Sequence, residues 1–328
     1  TAIELVHNFS LIHDDIEDQS DERRGRTAVW KAWGLAQGLN AGDGMFMLAR
    51  LALDQMPRNG TAAEKCAQIN LEFDATTLAL CHGQFLDLNF ESRLDVTIEE
   101  YVQMIRGKTG ALVSASAKLG AIIGTDDPAL IDAFARFGEN IGLAFQIPDD
   151  ILGIWGDPAI TGKSAATDIL SKKKALPAVI GLTHPQHGAA LGEIYSKPNL
   201  SPADVKQVLS LLAAVGAREQ TQDRANEFRA IAMSALSATG LNNRAMDRLR
   251  EIAEAMLVAN DPNMTPALAR PTYDVFVNPK EGLFRNLAID IEGLRTVIQL
   301  RNKFSEPPMS LTDPMKYVDL ELYKKAFA

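Results

Sequence analysis

The sequence predicts an all-α protein built from long packed helices, and three observations carry that reading. Apolar residues recur every three or four positions, as at Leu48, Leu51 and Ala52 and again at Ile252, Ala255 and Met256. Alternating β-branched runs are few, and no strand–helix alternation calls for a parallel sheet. The breaks are short: Pro57-Arg58-Asn59-Gly60, Gly124-Thr125-Asp126-Asp127-Pro128, Gly156-Asp157-Pro158 and Lys197-Pro198-Asn199. The helical pattern runs from Thr1 to about Asn260, so 1–262 is read as one domain. Beyond it the composition changes, with Pro266, Pro271, Pro279, Pro307, Pro308 and Pro314 and an aromatic, β-branched piece at Tyr273-Asp274-Val275-Phe276-Val277. One helix, about Leu283 to Asn302, is expected there from Leu287, Ile291, Leu294 and Ile298. Residues 263–328 are read as an appended, irregular segment of separate origin.

Charge narrows the possible partners. The chain has 328 residues with 33 Lys+Arg against 42 Asp+Glu, a net charge of −9, which excludes the basic footprint of a general nucleic-acid binder. Any polyanion must therefore be met by local cations or by metal. Cys66 and Cys81 are the whole cysteine complement and make neither a disulfide framework nor a zinc site, so a reducing cytoplasm is expected. The uncharged stretch from Ala175 to Gly192 contains Pro177, His184, Pro185, Gln186 and His187, which a membrane span would not tolerate together. Glu4, His7 and the acids from Asp14 interrupt the opening before a secretory core could form, and Thr1 in place of Met suggests an N-terminus lying upstream.

The densest chemistry is His13-Asp14-Asp15-Ile16-Glu17-Asp18. Aspartates at i and i+4 fall on one helix face with i+1 close beside, so three like charges crowd one patch. Crowding of that kind suits a hard divalent cation, and Mg²⁺ takes one or two carboxylates while water and substrate phosphate fill its remaining positions. A solvated acidic turn fits the short pattern as well. Its context favours diphosphate: Phe9, Leu11 and Ile12 imply a buried helix before it, and Arg23-Arg24-Gly25-Arg26 forms a cationic loop after it.

At these residues the sequence resembles the trans-isoprenyl diphosphate synthases, the polyprenyl synthetase family, whose first aspartate-rich motif reads H-D-D-x-x-D followed by R-R-G. Further landmarks match in order: Gly42-Asp43, Gly83-Gln84 with Asp87, Tyr101, Lys108-Thr109-Gly110, Phe145-Gln146, Asp149-Asp150, Gly162-Lys163, Asp168 and Lys173. They cover about 1–260. The resemblance implies an isoprenoid-synthase-type helical bundle around a central cavity, and a prenyltransferase that condenses an allylic diphosphate with isopentenyl diphosphate. It implies Mg²⁺, three ions with bound diphosphate, held by Asp14, Asp15, Asp18, Asp149 and Asp150. It implies Lys108, Thr109 and Gln146 as catalytic residues and Arg23, Arg24, Lys108, Lys163 and Lys173 as diphosphate ligands. A homodimer is implied as well, and the apolar residues Leu71, Phe73, Leu78 and Leu80 suit either that role or ordinary burial.

Two departures from the family stand out. The second motif, Phe145 to Gly153, carries Gly153 where its last carboxylate belongs, and Asp157 lies a helix end too far to replace it. The family's helices before the first motif, with a Gly-Gly-Lys-Arg segment, have no counterpart before Thr1, so N-terminal helices are expected to be missing. Lys108 has an independent case, because an unpaired ammonium in the apolar run of Ala111, Leu112 and Val113 would be costly, and an anionic substrate would supply its partner. The run Lys172-Lys173-Lys174 alone would read as a solvated face.

Phe9 and Ser10 lie one to one and a half turns before Asp14, where the family builds the floor of its elongation pocket; Leu5, Leu80 and Phe145 are further wall candidates. A phenyl ring there would stop growth at about C15 to C20, although plain core packing explains Phe9 equally. Two rivals remain: a class I terpene cyclase, using the same ionisation, and a non-catalytic partner subunit of an active synthase, suggested by Gly153. The end of the chain, from Asp313 to Leu320 onward, faintly resembles the C-terminus of nitrate/taurine-type periplasmic substrate-binding proteins.

Overall fold

The computed structural model describes residues 1–23, 25–156 and 166–259. The expected appended segment 263–328 and its boundary lie outside the described residues, as do Arg24 and Lys163. The described residues to Arg250 belong to one compact unit, and Glu251–Ala259 to a second.

The protein is all-α, as the periodicity requires. Helix α1 spans Ala2–Glu17, α2 Val29–Trp33, α3 Leu35–Leu53 and α4 Ala63–Glu91. Then come α5 (Ile98–Ile105), a π-helical turn (Arg106–Gly110), α6 (Ala111–Gly124) and α7 (Pro128–Trp155). The remaining helices are α8 (Thr167–Leu170), α9 (Leu176–Thr183), α10 (Gly188–Tyr195), α11 (Pro202–Ala214), α12 (Ala217–Ala238) and α13 (Arg244–Ala259). The expected breaks fall where Pro and Gly place them: a 3₁₀ turn at Pro57–Asn59 ends on left-handed Gly60, and Pro128 opens α7 behind an Asp127 cap. Thr97 and Glu100 close a capping box at the start of α5, satisfying two N–H groups that the helix itself cannot.

Two local features were not legible in the periodicity. A hairpin of two-residue strands, Glu22–Arg23 and Arg26–Thr27, follows α1, and Gly25 takes the positive φ of 71° that its two-residue loop demands. Lys108 lies in the π turn, not in the continuous helix expected from its apolar neighbours.

Helix α3 packs along α1, α6 packs on both α4 and α7, and α12 packs along α7. Val6, Phe73, Leu80, Leu112, Ile122 and Ile131 form the core between them, with Phe9 and Phe46 at its edge. Helix α4 divides its apolar residues between two faces: Phe73 and Leu80 are buried, whereas Leu71 and Leu78 are 73% and 72% exposed. Burial thus claims only half of the set read as one stretch. No described helix is long and apolar enough to cross a membrane.

Candidate active site

The inward face of α1 runs Val6, Ile12, Asp15, so an apolar stripe ends in a carboxylate. The hairpin after it turns Arg23 back onto the helix, where Nε donates to Asp15 Oδ1 and Nη2 to Asp14 Oδ2, both at 2.7 Å. From the other side Lys108 Nζ donates to Asp14 Oδ1 at 3.1 Å and to Asp87 Oδ2 at 2.6 Å. Burial alone would raise the Asp14 pKa, but Lys108 and Arg23 together hold it below the usual carboxylate range. Asp18 has the opposite balance: burial, with Asp14 and Asp87 nearby, pushes it up to about 6 against the pull of Lys108 and Lys173. An anionic substrate is the partner that the sequence predicts for Lys108. The fold supplies two carboxylates instead, so Arg23 and Lys108 are ion-paired with the acidic cluster beside them.

Lys108 reaches Asp87 because two backbones touch. A Cβ on Gly83 of α4 would stand 2.2 Å from the Lys108 nitrogen and 2.6 Å from the Gly107 carbonyl carbon, so only glycine admits the π turn at this distance. The turn also aims Thr109 Oγ1 at Gln146 Oε1, 2.8 Å away on α7, which joins two residues expected to act together. Gln84 Nε2 donates to Glu17 Oε2 at 2.6 Å, fastening α4 to the end of α1. Asp87 was a landmark without a role in the sequence. The signal was its spacing, since residue 87 stands one helical turn after buried Gly83.

The two aspartates of the second motif go separate ways. Asp149 is exposed, whereas Asp150 is 3% exposed and faces inward. Asp150 Oδ2 accepts from the Tyr101 hydroxyl at 2.6 Å and from the Leu176 backbone N–H at 2.7 Å. Burial raises its pKa to about 6, against Lys173 and those two hydrogen bonds. Its carboxylate therefore braces α5 and the start of α9 against α7. Lys173 is coupled to both motifs: burial works against its charge, yet Asp150, Asp87, Asp168 and Asp18 raise its pKa. It thereby feels a carboxylate of each motif. Its neighbour Lys174 is not a solvated member of a run but is buried, donating to the Glu91 and Lys172 carbonyls at 3.1 and 3.0 Å.

Deeper along α1, Phe9 stacks edge-on to His13 with centroids 5.1 Å apart and leans on Phe46 at 5.5 Å. It packs against the core that holds Leu80. Ser10 turns its hydroxyl back to the His7 carbonyl at 2.8 Å. Outside this cluster, a groove of about 340 Å³ beside the π turn is lined by Glu72, Thr76, His82, Arg106 and Glu139 and takes none of the expected site residues.

The donor set suits a hard cation. Asp14 and Asp18 offer only oxygen, and Asp18, raised first by burial and then by Asp14 and Asp87, is a carboxylate whose charged form a divalent ion would favour. Among the described residues no group of three or more His, Cys, Asp or Glu is gathered into a metal cage. Mg²⁺ does not need one, because it retains waters and takes oxygens from bound phosphate.

A sequence profile of the polyprenyl synthetase family matches residues 1–212. Geranylgeranyl diphosphate synthase of Mycobacterium tuberculosis is 37% identical over 237 residues, 72% of this chain and 67% of that protein. A (2E,6E)-farnesyl diphosphate synthase of Mycobacterium bovis is 36% identical over 259 residues, covering 77% and 70% of the two chains. The crystal structure of geranylgeranyl pyrophosphate synthetase from Pyrococcus horikoshii superposes with a TM-score of 0.71 at 37% identity, over 78% of this chain and 77% of that one. The Corynebacterium glutamicum geranylgeranyl pyrophosphate synthase, complexed with isoprenyl diphosphate and magnesium, gives 0.66 at 30% identity over 79% and 76%. With its all-α architecture and a family profile matching residues 1–212, this chain belongs to the polyprenyl synthetase family of transferases.

Proposed function

We propose that the protein is a Mg²⁺-dependent prenyltransferase joining an allylic diphosphate to isopentenyl diphosphate to give a short-chain product of about C15 to C20, the limit expected from a ring at the pocket floor. The carrying observation is the ion-paired cluster in which Arg23 and Lys108 grip the first acidic motif while Lys173 feels carboxylates of both motifs. Mg²⁺ bound by Asp14, Asp18 and Asp149, with Asp15 and Asp150 behind them, would neutralise the diphosphate as the allylic C–O bond breaks. Arg23, Lys108 and Lys173 donate to phosphate oxygens, with Arg24 and Lys163 as further candidates. With a divalent ion on Asp14, Lys108 and Arg23 would be able to exchange carboxylate oxygens for those of phosphate, a trade of like for like.

The breaking bond's electron pair leaves with diphosphate, and the isopentenyl double bond attacks the allylic carbon to form the new C–C bond. The proton lost from the adduct goes to the departing diphosphate. Thr109 and Gln146, hydrogen-bonded to each other, hold their side of the site in register. Phe9, Leu5, Leu80 and Phe145 keep the cationic carbon from water.

Incubating the chain with an allylic diphosphate, isopentenyl diphosphate and Mg²⁺ tests this. A product longer by one C5 unit, lost on chelation and in Asp14→Asn, is the expected result. Absence of any Mg²⁺-dependent extension, or a cyclic hydrocarbon formed without isopentenyl diphosphate, overturns the reading.

The outward face of α4 supports a homodimer. Leu71, Leu78 and Phe85 follow one another at heptad spacing and are 73%, 72% and 61% exposed, an arrangement that a second copy's helix would cover.

A further inference from the structure

We infer that Asp168 fills the place of the carboxylate missing from the second acidic motif, and that residue 153 is glycine because Asp168 occupies its side-chain space. A Cβ built on Gly153 would stand 2.2 Å from Asp168 Oδ2, 2.5 Å from its Cγ and 2.9 Å from its Oδ1. A Cβ at 153 would force the Asp168 carboxylate out of its present seat, so the two side chains compete for one space. The motif's acid is relocated, supplied by α8, which packs against α7.

The backbone around Asp168 holds it there. Ala166 and Lys172 both adopt left-handed φ, 58° and 56°, a conformation costly for residues with a side chain and kept only where packing over-determines it. Between them Ile169 is fully buried. Lys172 Nζ is hydrogen-bonded to the Lys197 carbonyl, and Lys174 Nζ to that of Glu91. The short helix is thus pinned just past its C-terminal end, and its carboxylate is seated against α7. Tyr195 lies in the same region: it is 3% exposed, its hydroxyl has no hydrogen-bond partner among the described residues, and its ring lies 5.6 Å from Lys174 Nζ. Burial, and then the Asp168 charge, push its titration upward. The Lys173 backbone N–H donates to the Asp168 carbonyl at 2.9 Å, and the Asp168 charge is among those that raise the Lys173 pKa. Asp168 is accordingly a positioning residue for Lys173, a role that rests on the prenyltransferase reading; the steric pairing with Gly153 does not.

Restoring the family pattern with Gly153→Asp should therefore harm the protein. In metal-free buffer G153D and G153A should melt below wild type, and G153D/D168A should recover most of the loss. The isosteric Asp168→Asn fills the same space without charge. It should melt like wild type yet bind inorganic pyrophosphate with Mn²⁺ about tenfold more weakly by calorimetry, and raise KM for the allylic diphosphate more than it lowers kcat. G153D melting like wild type, or no recovery in the double variant, overturns the pairing. Unchanged pyrophosphate affinity in D168N overturns the positioning role. A wild-type chain without prenyl transfer defeats the functional reading alone, because the metal-free melting cycle and the pyrophosphate titration still report on Asp168.

Discussion

Tyr101 and Asp150 provide a sharp test of whether the second acidic motif divides its labour. Both side chains are buried, and the Tyr101 hydroxyl donates to Asp150 Oδ2 at 2.6 Å while the Leu176 N–H donates to the same oxygen at 2.7 Å. A hydrogen bond to a buried charged acceptor contributes about 1.5 to 3 kcal/mol, so Tyr101→Phe should cost about 2 kcal/mol. Asp150→Ala strands two buried donors and should cost about 4 kcal/mol, offset in part because a carboxylate titrating near 6 is itself expensive to bury. In Y101F/D150A the tyrosine donor is already gone, so the double variant should be little worse than D150A, with a coupling energy of about 2 kcal/mol. Denaturant unfolding in chelator measures all three. A loss of 2 kcal/mol corresponds to a melting point lower by about 4 to 8 °C in a domain of this size. Additive losses, or a Y101F variant as stable as wild type, would refute the brace. So would a D150A variant that keeps its stability and loses only metal-dependent turnover.

Four further outcomes follow from the same geometry. Burial lowers the pKa of Lys174 to about 8 from the ordinary 10.5, so between those values the folded chain binds fewer protons than the unfolded one and this side chain's contribution to stability rises with pH; the stability of wild type relative to Lys174→Met should therefore improve from pH 8 to 10 in paired melts, and a flat difference would count against it. Gly83→Ala forces a Cβ onto the π-turn backbone and should cost about 1 to 3 kcal/mol while lowering kcat by releasing Lys108, so a fully active, fully stable variant would contradict the close approach. Phe9→Ala should lengthen the product on chromatography, and an unchanged chain length would discard the floor assignment. Leu78→Glu with Phe85→Glu should yield a monomer in sedimentation, and an unaltered dimer would move the interface off α4.

The chemistry of the site was legible in order along the chain. Acids at i, i+1 and i+4 share a helix face by geometry alone, and the breaks at Pro57, Gly124, Gly156 and Pro198 follow from backbone preferences that are local. The all-α class was legible for the same reason, since a 3.6-residue period is a property of neighbouring residues. Pairing across the fold was not. That Lys108 meets Asp14 and Asp87 depends on Gly83 admitting a π turn twenty-odd residues away, a contact with no local signature. Asp149 and Asp150 are adjacent and chemically identical, yet one is exposed and the other buried under Tyr101, because successive helical positions point about 100° apart. On α4, Phe73 and Leu80 entered the core and Leu71 and Leu78 did not, although hydrophobicity alone ranks them together. The glycine at 153 looked like a lost carboxylate, and only the packing of α8 against α7 showed an aspartate standing in its space. Local preference decided which groups the chain carries and on which elements; close packing, which forbids two atoms one place, decided which of them meet.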